Sequence, residues 1–284
     1  MAIGWLNGEW GDTSSLKISV LDRGFLFGDG VYEVISVYNA VPFALEQHLD
    51  RLERSLKEVA IPWPVSREAL ADLIREAIER SQAAFSLVYL QVTRGADDKR
   101  HHVYPEAINP SLFLMATPTP HLQHREIKPL TAITMEDYRW SKGHIKSVSI
   151  LANGLLRNAA VRQDVDDALL LRDGWLTEST ASNVFIVING EIRTPPKSNH
   201  LLHGITRDLV LELAATHGMK AKEIPVSIED LRQADEIWIT NTSQEVWPVG
   251  VLDGQPVNNG GPGPVFADMD ACFQALKRKL CGDW

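Results

Sequence analysis

The sequence contains little cysteine, no long apolar run and no cluster of basic residues. Its two cysteines, Cys272 and Cys281, fit neither a disulfide framework nor the spacing of a zinc site. No stretch approaches the ~20 apolar residues that would cross a bilayer, and the first residues lack the basic and apolar regions of a signal peptide. These absences predict a cytoplasmic protein that binds neither a metal nor a membrane.

The charge balance excludes a further class of partner. The formal net charge is −9 over 284 residues, so nucleic acid and anionic surfaces are not expected to bind. Hydrophobic residues make up 44% of the chain and charged residues 23%, which is typical of a globular protein with a large core.

The periodicity of apolar residues predicts two α/β-type domains, residues 1–119 and 120–284, with a Pro-rich polar linker at 117–126. The first domain is expected to contain an Asn-Gly hairpin, a strand at 31–38, helices at 47–60 and 66–82, and β-rich runs beginning at residues 86 and 111. The second is expected to contain strands at 130–137 and 145–151, a helix at 154–163, hairpins turned at Asp173-Gly174 and Asn189-Gly190, and a helix capped by Thr206.

Lys146, in the segment "HIKSVSIL", is the first residue that could carry chemistry. Its apolar neighbours Ile145, Val148 and Ile150 are typical of a buried strand, and loss of hydration there favours the uncharged, nucleophilic form of an amine. On spacing alone, the commoner arrangement is an edge lysine whose ammonium group reaches water.

Glu178 lies in "LTESTASNVFIV", where a hairpin strand enters a turn rich in Ser, Thr and Asn. A carboxylate in this setting can hold a cationic ring nitrogen. More often, such a carboxylate accepts hydrogen bonds from nearby backbone N–H groups.

Two segments could hold a phosphate group. "HGITRD" puts Gly204, Ile205 and Thr206 at the start of a helix, where unpaired N–H groups and the helix dipole favour an anion. "TNTS", residues 240–243, follows a strand with hydroxyl and amide donors, and Arg51 could add a positive charge. Ordinary capping, turn chemistry and a solvated arginine are the alternatives.

Pyridoxal 5′-phosphate would use an amine, an acid and a phosphate cradle together. The sequence resembles fold-type IV pyridoxal-phosphate enzymes, most closely the bacterial D-amino-acid aminotransferases. The resemblance covers almost the whole chain, in "DRGFLFGDGVYEV", "HLDRL", "QVTRG", "DYRW…IKS", "TESTASNVF", "GITRD" and "TNTSQEVWPV". It implies a two-domain α/β (α+β) fold with a small N-terminal domain and a larger domain whose sheet is mainly antiparallel and barrel-like.

The resemblance also implies roles for individual residues. Lys146 would form the Schiff base with the cofactor, and Glu178 would pair with the pyridinium nitrogen. The phosphate would be held by Arg51, Ile205, Thr206, Asn241 and Thr242. Asn241 stands where a hydroxyl residue is expected, but an amide can still donate.

The glycine-rich turn in "DRGFLFGDGVYEV" would bring a strand against the substrate. Residues i and i+2 share one face of a strand. Tyr32 and Val34 are therefore expected to point to the substrate, while Glu33 points away.

The loop "TRGADDKRHHVYPE" bears on the substrate class. Counting back from "YP", Arg100 and His102 match the family's Arg-x-His carboxylate clamp, which implies D-alanine or D-glutamate as donor and 2-oxoglutarate or pyruvate as acceptor. Counting forward from "TRG", the loop is one residue longer, and Arg94 and His101 become the alternatives. Such a loop reaches a site in the larger domain most easily across a two-fold interface, which predicts a homodimer with active sites completed across that interface.

Other functions remain open at this point. A branched-chain L-amino-acid aminotransferase, an (R)-amine transaminase or an aminodeoxychorismate lyase would share the fold, the lysine and the cofactor. A phosphate-binding protein without catalytic activity and a nucleotide-dependent redox enzyme are the alternatives from other classes. No G-x-G-x-x-G or P-loop motif follows a strand, which argues against a nucleotide enzyme.

Overall fold

The computed structural model of the protein describes residues 3–123 and 125–284, and the chain forms two compact units. Unit 1 comprises Met1–Arg125, Ile145–Ser149 and Lys277–Trp284, and unit 2 comprises Glu126–His144 and Ile150–Leu276. The expected boundary after residue 119 therefore shifts to residue 125. In addition, two segments expected in the second domain belong to unit 1.

Unit 1 is an antiparallel sheet covered by two amphipathic helices. Its elements are β1 (Ile3–Leu6), β2 (Glu9–Asp12), α1 (Arg23–Phe27), β3 (Gly30–Tyr38), β4 (Val41–Pro42), α2 (Leu45–Glu58), α3 (Arg67–Ser81), β5 (Ser86–Thr93) and β6 (Ser111–Pro118). Among the described residues, the strand order is β2-β1-β6-β5-β3-β4. Leucines of α2 and α3, such as Leu52 and Leu70, are fully buried in the core. Ser66, the first residue of the helix expected at 66–82, is the N-cap of α3, since its Oγ accepts from the Ala69 N–H at 3.1 Å.

The predicted strand at 145–151 is wrong. The segment is irregular and forms a single isolated bridge, between Val31 and Ser147. Two backbone bonds hold it along β3: the Tyr32 N–H donates to Lys146 O at 2.9 Å, and the Val148 N–H donates to Gly30 O at 3.0 Å. Ile145 is buried in the core of unit 1. These long-range contacts account for its membership of unit 1.

The second late segment of unit 1 packs on the end of β3. The buried Lys277 amine lies 4.2 Å from the ring centroid of Tyr38, and Trp284 stacks on the same ring at 5.7 Å. The Asn39 amide donates to Cys281 O at 3.2 Å. The core of unit 1 therefore depends on residues distant in sequence.

Unit 2 is built on a curled, half-barrel sheet that is mostly antiparallel. Its elements are β7 (Leu130–Glu136), α4 (Leu151–Val161), β8 (Asp167–Arg172), β9 (Trp175–Ser179), β10 (Asn183–Ile188), β11 (Glu191–Thr194), α5 (Ile205–Thr216), β12 (Ala221–Glu223), α6 (Ile228–Arg232), β13 (Glu236–Asn241), β14 (Glu245–Leu252), β15 (Gln255–Pro256) and most of α7 (Pro264–Cys281). The strand order is β12-β11-β10-β13-β14-β7-β8-β9 along the described chain, and β15 pairs with β14. Helix α5 packs on β13.

The tight hairpins of unit 2 follow from their sequences. Asp173 and Gly174 have φ of 52° and 82°, and Asn189 and Gly190 have φ of 51° and 74°. Positive φ at both central residues is the type I′ turn that suits a two-residue hairpin. These two hairpins and the predicted fold class are confirmed.

The described residues contain neither a membrane-spanning helix nor a metal-binding cluster. No helix in 3–123 or 125–284 is long and apolar enough to cross a membrane. Over the same ranges, no group of three His, Cys, Asp or Glu side chains could hold a metal ion. The predicted linker starts inside β6 and includes His124, which lies outside the described residues.

Candidate active site

The candidate residues fall into two clusters, one in each unit. In unit 1, the Lys146 amine lies 4.1 Å from the ring centroid of Tyr32, a distance typical of a cation–π contact. The Tyr32 ring stacks on Tyr89 at 5.7 Å, which limits its movement. Lys146 is half-buried, between the buried lysine and the edge lysine that the sequence left open, because the segment that carries it is not part of the sheet interior.

Strand β3 alternates as the sequence predicts. Tyr32 and Val34 are half-buried on one face, whereas Glu33 and Ile35 are buried on the other. The face with Tyr32 is also the face that Lys146 contacts.

Glu33 forms a buried ion cluster with Arg51 and His48 of α2. The Arg51 Nε donates to Glu33 Oε1 at 2.7 Å, and Arg51 Nη2 donates to Glu33 Oε2 at 2.8 Å. His48 Nδ1 bonds Glu33 Oε2 at 2.7 Å. Burial opposes ionisation of Glu33, but Arg51 and His48 together lower its pKa. Arg51, expected at a phosphate, is thus held in a fixed orientation by a carboxylate.

The loop after β5 carries Arg100 and His102, the two residues expected to form the carboxylate clamp. The Arg100 guanidinium carbon lies 5.0 Å from the Phe27 ring centroid, and the His102 ring lies 5.4 Å from the same ring, edge to face. The two side chains therefore share one side of the loop. Buried Arg23 donates to the carbonyls of His101 and His102, at 2.6 and 3.2 Å. This arginine fixes the loop backbone.

Arg94 is not available as the alternative clamp residue. Its guanidinium is fully buried and forms two bonds with the carboxylate of Asp29, at 2.8 and 3.0 Å. It also donates to the carbonyls of Val59 and Ala60, at 2.7 and 2.9 Å. Arg94 thus anchors the start of the loop, which leaves Arg100 as the arginine of the predicted pair.

In unit 2, Glu178 is the last residue but one of β9 and lies in a buried set of charges. Arg139 Nη1 donates to Glu178 Oε1 at 2.6 Å. The Leu202 N–H and the Asn183 amide both donate to Oε2, at 3.0 and 3.2 Å. A carboxylate has about four acceptor sites, so three donors from the described residues leave one site for a further partner.

Arg139 is shared between two carboxylates. Asp137 accepts from Arg139 Nε and Nη2, both at 2.9 Å, and also from the Thr177 hydroxyl at 2.7 Å. Burial raises the pKa of Glu178, although Arg139 and the Leu202 N–H oppose the rise. The pKa of Asp137 is lowered despite its burial, because Arg139 and Thr177 stabilise its charge. Asp137 thus holds the larger share of the arginine.

Helix α5 begins without a side-chain cap. Its N-cap is Gly204, not Thr206 as predicted, and Thr206 lies in the first turn. The N–H groups of this first turn have no partner within the helix. A Cβ at Gly204 would overlap Asn183 Oδ1, so only glycine fits there.

The expected donor Asn241 uses its amide within the turn after β13. Both N–H groups donate at 2.8 Å, to Ser182 Oγ and to Gln244 Oε1. Its carbonyl accepts from the Gln244 N–H at 2.7 Å. The Asn241 side chain therefore shapes the turn, and its role at a phosphate stays a prediction. The half-buried Thr242 follows in the same turn.

Sequence reasoning missed Arg139, Asp137 and Asn183. "EDYRW" carried a signal, since an acid and an arginine two apart beside a strand end can form a local ion pair. Asn183 opens an otherwise apolar strand, "NVFIVI", where a buried amide needs partners.

The sequence is similar to those of known aminotransferases. The sequence model of the family described as "Amino-transferase class IV" matches residues 30–251. The D-alanine aminotransferase of Listeria monocytogenes is 35% identical over 280 residues, covering 98% of this chain and 97% of the relative. The D-alanine aminotransferase of Bacillus licheniformis is 36% identical over 268 residues, covering 94% of each.

Solved structures with the same fold include aminotransferases named for branched-chain amino acids rather than for D-alanine. The branched-chain amino acid aminotransferase of Escherichia coli superposes with a TM-score of 0.88 at 25% identity, covering 96% of this chain and 94% of that chain. The branched-chain enzyme of T.th., complexed with N-(5′-phosphopyridoxyl)-L-glutamate, has a TM-score of 0.86 at 27% identity, covering 99% of this chain and 95% of that chain.

Proposed function

The chain belongs to the class IV aminotransferase family, and we propose that its substrates are D-amino acids, with D-alanine or D-glutamate as donor and 2-oxoglutarate or pyruvate as acceptor. The enzyme is an aminotransferase whose cofactor is pyridoxal 5′-phosphate. The observation that supports the proposed substrate is the contact of Arg100 and His102 with one ring, that of Phe27. The similar D-alanine aminotransferases point the same way.

The donor set fits the cofactor. Glu178 has a raised pKa and one acceptor site beyond its three donors, so the cation of a pyridine ring would offset the cost of its burial. The uncapped start of α5 offers N–H groups to a phosphate at Ile205 and Thr206. Arg51, Asn241 and Thr242 stay predicted phosphate residues, and the Asn241 amide also shapes its turn.

Bound pyridoxal phosphate supplies an aldehyde that binds amines and a ring that accepts electrons. Lys146 provides the amine that attaches it. With substrate bound, Lys146 Nζ would take the proton from the substrate Cα as general base and would return it as general acid. Tyr32, against the Lys146 amine, limits where that amine can move. Glu178 keeps a proton on the ring nitrogen.

Arg100 holds the substrate carboxylate and thereby decides which face of Cα meets the lysine. Its planar fork can donate two N–H groups to one carboxylate. His102 adds a donor beside it, and Val34 shares the face of β3 on which Tyr32 lies.

A homodimer with active sites completed across the interface is part of the proposal. The loop that carries Arg100 leaves two large apolar side chains in water, with Val103 67% and Tyr104 53% exposed. Apolar exposure of this kind is typical of a surface that a partner covers. Sedimentation of the purified enzyme is expected to give twice the chain mass.

A donor screen tests the substrate. The enzyme is expected to transfer nitrogen from D-alanine to 2-oxoglutarate and to leave L-alanine and L-leucine untouched. Arg100→Ala should lower kcat/KM for D-alanine about tenfold to a hundredfold, because a charge-assisted hydrogen bond contributes about 1.5–3 kcal/mol. The kcat/KM of Arg100→Ala for a simple amine without a carboxylate should equal that of the wild type. The exposed Arg75→Ala is the matched control. Preference for L-leucine would instead favour the branched-chain activity.

Lys146→Ala tests the attachment. The variant is expected to bind cofactor without turnover, since loss of a positioned proton carrier alone costs about 10²–10⁴-fold. Borohydride treatment of the wild type should fix the cofactor on the peptide containing Lys146. The exposed Lys57→Ala should behave as the wild type. A Lys146→Ala enzyme with near-normal turnover would exclude this role.

A further inference from the structure

We infer that Asn183 is a positioning residue that joins the carboxylate of Glu178 to the N-terminus of α5, so that the two ends of the cofactor site are held as one piece. The inference rests on the proposed function only in assigning those two ends to the ring nitrogen and the phosphate. All of the contacts that carry it lie within unit 2.

The amide nitrogen of Asn183 has two acceptors. It donates to Glu178 Oε2 at 3.2 Å and to Leu202 O at 2.8 Å. Because both partners are acceptors, the nitrogen and not the oxygen of the amide must face them. Asn183 is 5% exposed, so water does not replace these bonds easily.

Leu202 closes the set of contacts. Its N–H donates to Glu178 Oε2 at 3.0 Å, while its carbonyl accepts from Asn183. Glu178, Asn183 and Leu202 are therefore bonded pairwise. Leu202 stands two residues before Gly204, the N-cap of α5. The carboxylate is thus fixed to the chain that starts the helix.

The other side of the Asn183 amide contacts the helix start directly. A Cβ built on Gly204 would overlap Asn183 Oδ1 and come within 3.3 Å of Asn183 Cγ. Gly204 has φ of −71°, which any residue can adopt. The glycine is therefore required by the position of Asn183 and not by backbone strain.

This packing makes Gly204→Ala a test that removes no polar group. The added methyl group must displace the Asn183 amide from the position in which it bonds Glu178 and Leu202. The substitution therefore acts on the carboxylate through Asn183. Asn183→Ala removes the obstacle as well as the bonds, and the double variant should do no more than Asn183→Ala alone.

Two measurements report on the two ends of the site, one on the start of α5 and one on the carboxylate of Glu178. Binding of inorganic phosphate to the cofactor-free enzyme reports on the start of α5. The pH dependence of the visible absorption of the bound cofactor reports on the charge at the ring nitrogen. Asn183→Ala and Gly204→Ala are each expected to weaken phosphate binding about tenfold and to shift the absorption–pH curve in the same direction. The exposed Asn158→Ala and Gly154→Ala, both in α4, should leave both readouts unchanged.

The outcomes separate the inference from the proposed function. Additive effects of the two substitutions, or a Gly204→Ala enzyme with weakened phosphate binding and an unchanged absorption–pH curve, would overturn the coupling through Asn183. So would variants that only melt at a lower temperature. A wild-type enzyme that binds no pyridoxal phosphate would contradict the proposed function instead, and the phosphate titration of the cofactor-free enzyme would still decide on Asn183.

Discussion

Glu33 in unit 1 and Glu178 in unit 2 are both buried glutamates bonded to an arginine, yet their pKa values move in opposite directions. Glu33 receives two nitrogens of Arg51 and a third donor from His48. Glu178 receives one nitrogen of Arg139, because Asp137 takes two others of the same guanidinium.

The direction of the pKa shift of a buried glutamate therefore depends on how the arginine is arranged, and not only on its presence. Two nitrogens of Arg51 stabilise the charge of Glu33 within the protein, and the pair orients Arg51. A shared arginine leaves the charge of Glu178 partly uncompensated, so that a bound cation gains free energy there. We therefore expect the first arrangement to orient Arg51 and the second to favour a bound cation.

The largest expected effect on this comparison comes from Glu33→Gln. An amide presents one acceptor where Arg51 and His48 need two oxygens, and it leaves the buried Arg51 charge without its partner. Loss of one partner of a buried pair costs about 3–5 kcal/mol, to be measured as the free energy of unfolding in urea. Glu46→Gln, which breaks an exposed pair with Arg67 in the same unit, should cost less than about 1 kcal/mol. Equal losses in the two variants would refute the distinction.

Glu178→Gln is expected to act on the reaction. Its amide must turn an N–H group either to Arg139 or to Asn183 and Leu202, and each of these is already a donor. Without a carboxylate the ring nitrogen loses its charge partner, and kcat should fall about 10²–10³-fold. Glu136→Gln, exposed at the end of β7, is the control. Unchanged kcat with a large loss of cofactor affinity would make Glu178 a purely structural residue.

The pH dependence of stability should separate the two glutamates in the cofactor-free enzyme. Glu33 has a lowered pKa, so its contribution is present above the ordinary value of 4.5 and is lost as the pH falls through the folded pKa. Glu178 has a raised pKa, so its contribution is present below 4.5 and is lost as the pH rises through the folded pKa. Each unit of difference in pKa corresponds to about 1.4 kcal/mol.

Urea titrations at several pH values measure this. The stability gap between wild type and Glu33→Gln should shrink as the pH drops below 4.5. The gap between wild type and Glu178→Gln should change in favour of the variant as the pH rises above 4.5. Parallel slopes for the two variants would show that the carboxylates are equivalent.

Asp137→Asn is expected to have a smaller effect, which tests whether the shared arginine sets the pKa of Glu178. The substitution removes a competing charge, leaving more of Arg139 for Glu178, so the pKa of Glu178 should fall towards the behaviour of Glu33. A carboxyl-carbon NMR titration of the cofactor-free enzyme measures this shift. Asp173→Asn, in an exposed turn that accepts either residue, should leave it unchanged. A pKa of Glu178 that rises in Asp137→Asn would contradict the shared-arginine explanation.

Local signals predicted the parts of the fold that local interactions determine. The alternation of β3, the Ser66 cap and the Asp-Gly and Asn-Gly hairpins each depend on residues a few positions apart. Helix α2 was expected at 47–60 and lies at Leu45–Glu58. The shift of two residues arises because its N-cap, Ala44, makes no side-chain bond that the sequence could reveal.

Contacts between distant residues could not be predicted in this way. The apolar pattern around Lys146 is that of a strand, but within the described residues the segment forms a single isolated bridge, between Ser147 and Val31 of β3. The amide of Asn241 is used by Ser182, which lies 59 positions away. Glu178 and Arg139 are 39 positions apart, and nothing local indicates that Asp137 divides the arginine between them.

The last turn of α7 and Trp284 pack against Tyr38 in unit 1, which matters during synthesis on the ribosome. Unit 1 begins to emerge first, but part of its core is encoded in residues 277–284. At about 5–20 residues per second, these residues follow residue 125 by roughly 8–30 s. During this interval the aromatic cluster around Tyr38 lacks its cover, so the N-terminal unit completes its folding only after unit 2 has been synthesised.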